Sequence, residues 1–264
     1  MENNIAILTI AGSDSGGGAG IQADLKTFSA LGVYGTTVIT SITAQNLKQI
    51  VDIYEIPSKM VEKQINAVLQ GYPIKAIKTG ILLSEEIVTT VINSLKESVL
   101  DNNIKLVVDP IMIATSGKIV IDKKALNKMQ SDLFPLASLI TPNIPETEYL
   151  TGKKINTIKE MEDSGAFLFE KFNVPFLIKG GHLSDDSTDI LISENGFTTF
   201  KSKRVIGINT HGSGCTLSAA ITTFLSQDYS IIESVQSAKD YLTTSLTEPL
   251  QISNNTQIIN HFYS

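Results

Sequence analysis

Short apolar runs rich in β-branched residues alternate with longer amphipathic stretches along most of this 264-residue chain. Six of the short runs have the length and composition of β-strands, at residues 5–11, 33–40, 74–78, 105–108, 139–140 and 176–178. Between them, apolar residues recur every three or four positions, which predicts helices over 21–31, 59–70, 85–100, 123–134 and 158–172. This alternation predicts an α/β fold whose mainly parallel sheet is covered by helices on both faces.

The dipeptide Asn195-Gly196 separates two further strand-like segments, 188–193 and 197–205. Because Asn-Gly favours tight hairpin turns, we expect an antiparallel hairpin at an edge of the sheet. Two more helices should begin near Cys215 and Ile231. Since no repeat, low-complexity tract or long linker interrupts the pattern, we expect residues 1–264 to form one domain.

The composition limits the kinds of partner that the chain can bind. A hydrophobic content of 42% supports one large core, and a formal net charge of −6 argues against nucleic-acid or anionic-membrane partners. One cysteine cannot form an intramolecular disulfide, and the sequence shows neither a secretory signal nor a membrane-spanning run. We therefore expect a cytoplasmic protein that binds a small molecule.

A glycine-rich segment with the sequence GINTHGSGCTLSAA, at residues 207–220, contains the single cysteine. The small residues Gly212, Ser213 and Gly214 let consecutive backbone N–H groups point at one spot, to which the following helix adds the positive end of its dipole. This arrangement predicts an anion site, most often for phosphate. Cys215 at the helix start is compatible with a reactive or proton-accepting thiol, and equally with inert packing.

The carboxyl ends of parallel strands are where ligands bind in such sheets. This rule selects the loops at 12–20, 43–46, 79–83, 109–117, 141–148 and 179–182. The first of them, GSDSGGGAG, matches neither the dinucleotide fingerprint nor the Walker A loop. It is either a structural turn or a backbone that the substrate approaches closely, with Asp14 or Asp24 as acceptors.

Three charged residues stand at or just after predicted strand ends. Asp109 and Glu146 could together bind Mg²⁺, which takes one or two carboxylates besides waters and phosphate oxygens, although Asp109 could equally cap a turn. Lys179 could face a phosphate or lie on the surface before a glycine turn. The three histidines have no zinc-site spacing, so a histidine metal site is not expected.

Taken together, these segments resemble the ribokinase-like kinases, and among them the hydroxymethylpyrimidine and phosphomethylpyrimidine kinases of thiamine biosynthesis. The most specific element is NTHGSGCTLSA at 209–219, and the other matching segments are 7–35, 43–46, 78–80, 108–112, 114–117, 139–146 and 178–183. The resemblance implies a three-layer ribokinase-like fold with an antiparallel edge hairpin. It also implies a kinase that uses ATP and Mg²⁺, with a homodimer as the common assembly.

The resemblance also assigns roles to individual residues. Gly212, Ser213, Gly214 and Cys215 would stabilise the transferring phosphoryl group, with Cys215 in the place where most sugar kinases of the superfamily have an aspartate base. Asp109, Asn143 and Glu146 would help hold Mg²⁺ and its waters. ATP would contact residues with polar side chains, namely Lys179, Asn143, Thr210 and Lys239. For Lys239, a solvated helix face is the alternative.

The substrate pocket has one residue that can be argued from its chemistry. The carboxamide of Gln45 presents a donor and an acceptor side by side, which matches the ring nitrogen and exocyclic amine of an aminopyrimidine. The resemblance adds Asp24, Ile81 and Ile111 as further pocket walls. The expected reactions are phosphorylation of 4-amino-5-hydroxymethyl-2-methylpyrimidine and then of its monophosphate.

Three alternative functions stay open at this point. The chain could be a pyridoxal kinase of the same fold, although residues 112–117 contain no second cysteine to trap an aldehyde. It could also be a cysteine hydrolase or acyltransferase in which His211 activates Cys215. A nucleotide-binding module without catalysis is the third alternative.

Overall fold

The computed structural model describes residues 5–112, 121–181, 186–253 and 256–263. Its strands are β1 (Ala6–Asp14), β2 (Tyr34–Gln45), β3 (Ile50–Glu55), β4 (Ile74–Thr79), β5 (Lys105–Val108), β6 (Leu139–Ile140), β7 (Phe176–Gly180), β8 (Asp186–Ser193), β9 (Gly196–Lys203), β10 (Leu250–Ser253) and β11 (Thr256–Ile258). Its α-helices are α1 (Gly20–Ala30), α2 (Ser58–Gly71), α3 (Glu85–Asp101), α4 (Lys123–Lys128), α5 (Ile144–Thr151), α6 (Ile158–Phe172), α7 (Ser213–Ser226) and α8 (Ile231–Thr247).

The main sheet has the strand order β3-β2-β1-β4-β5-β6-β7-β8-β9. The six strands from β2 to β7 in this order pair in parallel, while β3 at one edge and β8 and β9 at the other pair antiparallel. The predicted α/β class, the parallel sheet and the edge hairpin are therefore confirmed. In the hairpin, Ser193 pairs with Gly196, so the turn is formed by residues 194–195 and Gly196 opens β9 at φ +92°.

Successive residues of the inner strands face opposite sides of the sheet, and helices cover both sides. In β5, Leu106 and Val108 belong to an apolar cluster with residues of α2 and α3, whereas Val107 lies in a second cluster with residues of α7 and α8. This alternation explains why β5 appears in the sequence as a continuous apolar run. It gives the three-layer arrangement expected for the fold.

Helix α7 is buried along almost its whole length. It contacts β4 and β5 on one side and α1 and α8 on the other, and its residues from Cys215 to Thr223 are all buried. Its buried hydroxyl groups bond to carbonyls one turn earlier, for example Thr222 to Ser218 and Thr223 to Ala219. Because both sides of α7 are packed, its N-terminus is held at the carboxyl edge of the parallel strands.

Several elements differ from the sequence-based expectation. The predicted helix over 123–134 is α4 followed by a π-helical turn at Met129–Leu133 and a 3₁₀ turn at Phe134–Leu136, where Pro135 cannot donate to a continuing α-helix. The edge strand β3, the helix α5 and the small β10–β11 sheet were not predicted. In the part of the chain that the structure describes, no helix is long and apolar enough to cross a membrane.

The C-terminal segment is anchored to α7 through a buried histidine. His261 is 5% exposed, and its Nε2 lies 3.0 Å from Oγ1 of Thr216, while Tyr241 donates a hydrogen bond to its carbonyl. Burial, with the charge of Lys26 as a smaller cause, lowers the pKa of His261 to about 4. The imidazole is therefore neutral in the folded chain at neutral pH.

We predict that His261 makes the folded chain less stable as the pH falls from 6.5 to 4. The unfolded chain binds a proton near pH 6.5 and the folded chain only near pH 4, so stability is retained above 6.5 and lost below it. Urea unfolding of wild type and His261→Gln should diverge by on the order of 2 kcal/mol between pH 7 and 4.5. Parallel stability curves for the two proteins would contradict this.

Candidate active site

A cavity of about 1500 Å³ lies at the carboxyl edge of the parallel strands. It is lined by residues from most of the loops that the sequence selected, among them Gln45, Ile81, Asp109, Ile111, Asn143, Glu146, Lys179, Thr210, Gly212, Ser213, Gly214, Cys215 and Lys239. The residues predicted for the phosphoryl, metal, nucleotide and substrate contacts thus border one space, with Asp24 as the exception. Part of the 109–117 loop and His182 lie outside the described residues.

The turn before α7 depends on two glycines that meet backbone to backbone. Gly212 is the N-cap at φ +85°, and a Cβ at this position would lie 1.7 Å from the carbonyl oxygen of Gly18. A side chain therefore fits neither the dihedral angle nor the space. The contact joins the first glycine loop to the start of α7, where the N–H groups of the first helical turn have no partner within the helix.

Cys215 lies in the first turn of α7 and is 7% exposed. Burial raises the pKa of its thiol to about 11, although the charge of Lys78 and a hydrogen bond from the Gly20 backbone act in the opposite direction. Asp109 and Asp24 raise it further. A helix N-terminus alone would lower the pKa of the thiol, but desolvation and two buried carboxylates outweigh that effect, so the thiol is protonated at neutral pH.

Asp109 and Lys179 form an ion pair at the cavity wall, with 2.8 Å between Oδ1 and Nζ. The other oxygen of Asp109 accepts a hydrogen bond from Ser218, one turn into α7. Lys179 also lies against the glycine turn, since a Cβ on Gly214 would be 3.3 Å from Nζ. The Lys179 side chain is 12% exposed, and its ammonium group is held by a carboxylate next to the anion-binding turn.

Asn143 and Glu146 form a capping box at the start of α5. The Asn143 side chain accepts from the Glu146 N–H at 2.9 Å, and Glu146 Oε2 accepts from the Asn143 N–H at 2.8 Å. Burial raises the pKa of Glu146 to about 7, Lys179 lowers it and Asp109 raises it. The capping box explains why α5 starts here despite the flanking prolines, and it engages the amide oxygen and the backbone N–H of Asn143 in a structural task.

Asp24 does not line the cavity, contrary to its predicted place in the substrate wall. It is fully buried in α1, where it pairs with Lys78 at 2.7 Å and accepts a hydrogen bond from Thr9 at 2.6 Å. A buried carboxylate requires such partners, and here they engage both of its oxygens. Lys78 was missed as a functional candidate, although it belongs to the Lys78-Thr-Gly80 segment that carried part of the resemblance.

The backbone N–H groups of the first glycine loop point inward to Asp14. Its carboxylate accepts hydrogen bonds from Gly16, Gly18 and Ala19 at 2.8 to 3.1 Å. Burial raises the pKa of Asp14, but the hydrogen bonds from His211 and the loop outweigh it, so the pKa is lowered. The loop is therefore an ordered turn around an ionised carboxylate, and Asp14 rather than Asp24 is the acceptor there.

The apolar wall and the far end of the cavity are also fixed by local contacts. Ile81 is held by a hydrogen bond from Thr40 to its carbonyl, and its side chain occupies the space that a Cβ on Gly12 would need. Lys239 lines the cavity but is 3% exposed, with Nζ 2.6 Å from Asp189. It is thus an ion-paired buried residue rather than part of a solvated helix face.

Comparisons with known proteins agree with this arrangement. The sequence model of the family described as phosphomethylpyrimidine kinase matches residues 14–260. The chain belongs to this family. A hydroxymethylpyrimidine/phosphomethylpyrimidine kinase of Haemophilus influenzae is 39% identical over 99% of this chain and 98% of its own length. A thiamine biosynthesis bifunctional protein of Geobacter sulfurreducens is 44% identical over 93% of this chain, which spans half of that protein's length.

Solved structures of two kinds of kinase have the same fold. A phosphomethylpyrimidine kinase of Clostridium difficile superposes with a TM-score of 0.80 at 44% identity, covering 91% of this chain and 99% of that one. A pyridoxal kinase of Staphylococcus aureus, in complex with AMP-PCP and pyridoxal, gives a TM-score of 0.88 at 32% identity. It covers 98% of this chain and 94% of that one. The ribokinase-like fold predicted from the sequence is therefore confirmed.

The hydrolase alternative for this kinase-family chain finds no support in the geometry. Nε2 of His211 lies 3.1 Å from Oδ2 of Asp14 and 3.0 Å from Nε2 of Gln45, so this ring nitrogen is engaged by groups other than Cys215. A thiol with a pKa of about 11 also provides little thiolate for covalent catalysis. For Cys215 to act as a nucleophile, His211 would have to face the thiol and the pKa of the thiol would have to be lower.

We predict slow alkylation of the Cys215 thiol at neutral pH. Because only the thiolate reacts, the rate with iodoacetamide should rise by about tenfold per pH unit from pH 7 toward the pKa of about 11. Cys215→Ala, which removes the single cysteine, provides the background rate. A fast reaction that reaches its plateau below pH 8 would instead indicate an activated nucleophile.

We predict that Gly212→Ala is far more disruptive than Gly152→Ala. Both glycines have positive φ, +85° and +71°, but an added Cβ meets the Gly18 backbone at Gly212 and nothing within 4 Å at Gly152. The control should cost about 1–3 kcal/mol, from backbone strain alone. Gly212→Ala should cost more and abolish turnover, as judged by thermal unfolding and phosphoryl transfer. Equal losses in the two variants would refute the steric argument.

Proposed function

We propose that this chain transfers the γ-phosphoryl group of ATP to the hydroxymethyl group of 4-amino-5-hydroxymethyl-2-methylpyrimidine, and then phosphorylates the monophosphate to the diphosphate. The observation that carries the proposal is that the turn at 212–215, the Asp109–Lys179 pair and Gln45 border one cavity. Membership of the phosphomethylpyrimidine kinase family supports the choice of substrate.

The turn at 212–215 would stabilise the charge of the transferring phosphoryl group. In phosphoryl transfer the charge is spread over the equatorial oxygens, so fixed N–H dipoles and a cation contribute more than covalent chemistry does. The N-terminal end of α7 supplies the dipoles, and Lys179 lies beside the turn as the cation. Since α7 is packed on both sides, these groups need little reorganisation when charge develops.

The donor set near Lys179 fits Mg²⁺ bound largely through waters and phosphate oxygens. Asp109 and Glu146 are both buried, and the raised pKa of Glu146 reflects burial and the like charge of Asp109, which a cation would relieve. Among the described residues no cluster of three or more His, Cys, Asp or Glu could form a protein-only cage. When bound to the phosphates, Mg²⁺ would neutralise part of their charge.

Cys215 would accept the proton of the substrate hydroxyl in its thiolate form. Because the thiol is protonated at neutral pH, it must first lose its own proton to solvent, and the loose transition state does not require the hydroxyl to be deprotonated early. The neighbouring positive charge of Lys78 lowers the pKa of Cys215 and so favours the thiolate that forms. The role is therefore that of a proton acceptor rather than a covalent nucleophile.

The base of the substrate would lie between Gln45 and the apolar side chains Ile81 and Ile111. Gln45 offers hydrogen bonds to the pyrimidine edge, and both isoleucines line the same cavity. For ATP, the polar groups at Thr210, Asn143 and Lys239 remain proposed contacts. Lys239 would act through its fixed position beside Asp189 rather than as a free cation. Association into a homodimer and a cytoplasmic location are likewise proposals.

We predict ADP release from Mg-ATP with both pyrimidine substrates in a coupled assay. Cys215→Ala should lower kcat by about 10²-fold, the lower end of the range for a positioned base, because only a small fraction of the thiol is ionised at neutral pH. Cys215→Ser is the matched variant, which keeps a polar hydrogen in similar volume and should lose less. Folded wild-type protein without turnover of either pyrimidine would refute the proposed function.

Pyridoxal is the second candidate substrate, because pyridoxal kinase structures superpose on nearly the whole chain. Cys215 is the single cysteine of the sequence, so a mechanism that uses two thiols is not available here. We expect kcat/KM for pyridoxal to be lower than for the pyrimidine when both are measured with the same preparation. The reverse order would make vitamin B6 phosphorylation the main activity.

A further inference from the structure

His211 lies between the glycine loop, the proposed substrate reader Gln45 and the anion-binding turn. Its ring packs against the loop so closely that a Cβ on Gly18 would be 2.9 Å from Cδ2. Its backbone N–H donates to Asn209, and the next residue, Gly212, begins the cap of α7. The ring therefore has little freedom to move relative to either loop.

The backbone of Gln45 is fixed independently of its side chain. The Ser15 hydroxyl accepts a hydrogen bond from the Gln45 N–H at 2.8 Å and donates to the Gln45 carbonyl at 2.9 Å. The glycine loop thus holds the main chain, and the orientation of the terminal amide is what the surrounding side chains must determine. The half-buried Gln45 has His211 as its side-chain hydrogen-bonding neighbour among the described contacts.

One ring nitrogen of His211 faces both a carboxylate oxygen, which accepts a hydrogen bond, and an amide nitrogen, which donates one. Nε2 lies 3.1 Å from Oδ2 of Asp14 and 3.0 Å from the amide Nε2 of Gln45. A ring nitrogen without a proton would accept from the amide but place its lone pair against a carboxylate. A protonated ring nitrogen donates to the carboxylate but then opposes the amide NH₂ group. Both contacts are satisfied only if the amide turns its oxygen toward the ring, so that the single N–H is shared between the carboxylate and the amide oxygen.

The ionisation of Asp14 determines which of these two arrangements forms. It is 5% exposed at the side chain, and it already accepts three backbone N–H groups from the loop, so it functions as an ionised acceptor. An ionised carboxylate has no proton to donate, and hydrogen bonds to it are stronger than those between neutral groups. The proton is therefore expected on Nε2 of His211. The two ends of a glutamine amide are isosteric, so rotating the amide costs no packing.

We propose that His211, held by Asp14, is a positioning residue that turns the oxygen of the Gln45 amide toward its own Nε2–H and thereby directs the Gln45 NH₂ group into the cavity. The inference rests on the proposed function and specifies which group of the ligand Gln45 recognises. An NH₂ group donates, so it selects a ligand with an unprotonated ring nitrogen beside its exocyclic amine. The specificity of one side chain is thus set by the proton of another.

A double-mutant cycle between His211 and Gln45 tests this coupling. We expect His211→Phe, which keeps the ring volume, to raise KM for the pyrimidine by about tenfold, the value of one lost hydrogen bond, with KM for ATP changed less than twofold. Gln45→Ala should have a similar or larger effect. The double variant should be no worse than Gln45→Ala, because both changes remove the same interaction. His211→Gln, whose amide can donate from about the position of Nε2, should recover most of the loss.

A purely structural role for His211 gives a different result. If the ring only supports the glycine loop, the two effects are additive, KM for ATP rises together with KM for the pyrimidine, and His211→Gln does not recover. Any of these results overturns the proposal. Should His211→Phe fail to fold, as judged by thermal unfolding, His211→Asn replaces it, since its shorter amide does not reach Gln45.

A substrate analogue separates the donor role of Gln45 from a general contact. In a pyridine analogue, C–H replaces the ring nitrogen beside the amine. Wild type should lose about tenfold in kcat/KM with this analogue, whereas His211→Phe and Gln45→Ala should lose less than threefold. An equal loss in all three proteins refutes the proposal. Absence of pyrimidine turnover by wild type would instead refute the proposed function and the inference with it.

Discussion

The backbone contact between Gly212 and Gly18 is the constraint on which the site depends. Two glycine segments almost two hundred residues apart meet at a distance that allows no side chain. One segment surrounds the carboxylate of Asp14, and the other starts the buried helix α7. Because α7 cannot shift between the sheet and its neighbouring helices, the contact determines where the anion-binding turn lies relative to the substrate side of the cavity.

Charge is arranged around this contact in closely paired form. Asp24 with Lys78 lies behind the cavity wall, and Asp109 with Lys179 lies in it. Burying a single charge would cost several kcal/mol. Removing one partner of a pair would therefore leave the other as an unpaired buried charge. The pairs differ in what they leave available. Asp24 and Lys78 are fully buried and affect the pKa of Cys215, whereas Lys179 lies next to the turn that would receive phosphate.

The parallel sheet could be predicted from the sequence because its inner strands are buried on both faces and appear as continuous apolar runs. β3 could not, since it lies at an edge, its residues Val51, Asp52 and Tyr54 are exposed, and it carries no core signal. Helix α5 was hidden for a different reason. Pro145 normally indicates a loop, but proline in the first helical turn loses no hydrogen bond, and the Asn143–Glu146 capping box completes the start.

Within the site, the residue types in the sequence indicated the chemistry, but they did not indicate which side chains pair with each other. The cysteine turn, Asp109, Glu146, Lys179 and Gln45 all border the cavity, as their positions at strand ends predicted. Asp24, which the resemblance assigned to the pocket wall, does not line the cavity, and its carboxylate faces the buried Lys78 instead. Lys78 was not recognised as a candidate, because a lysine at the end of an apolar strand gives no sign that its ammonium group points inward.

The raised pKa of Cys215 follows from the same burial that makes the site precise. A helix N-terminus alone favours thiolate, but here the thiol shares a dry interior with two carboxylates, and Lys78 compensates only in part. A sugar-kinase aspartate in this place would be a third buried carboxylate near Asp24 and Asp109, with a corresponding cost in repulsion and desolvation. A neutral thiol avoids that cost in the resting site, and its thiolate form would accept the proton of the substrate hydroxyl. Cysteine is thus the choice that this arrangement of charges favours.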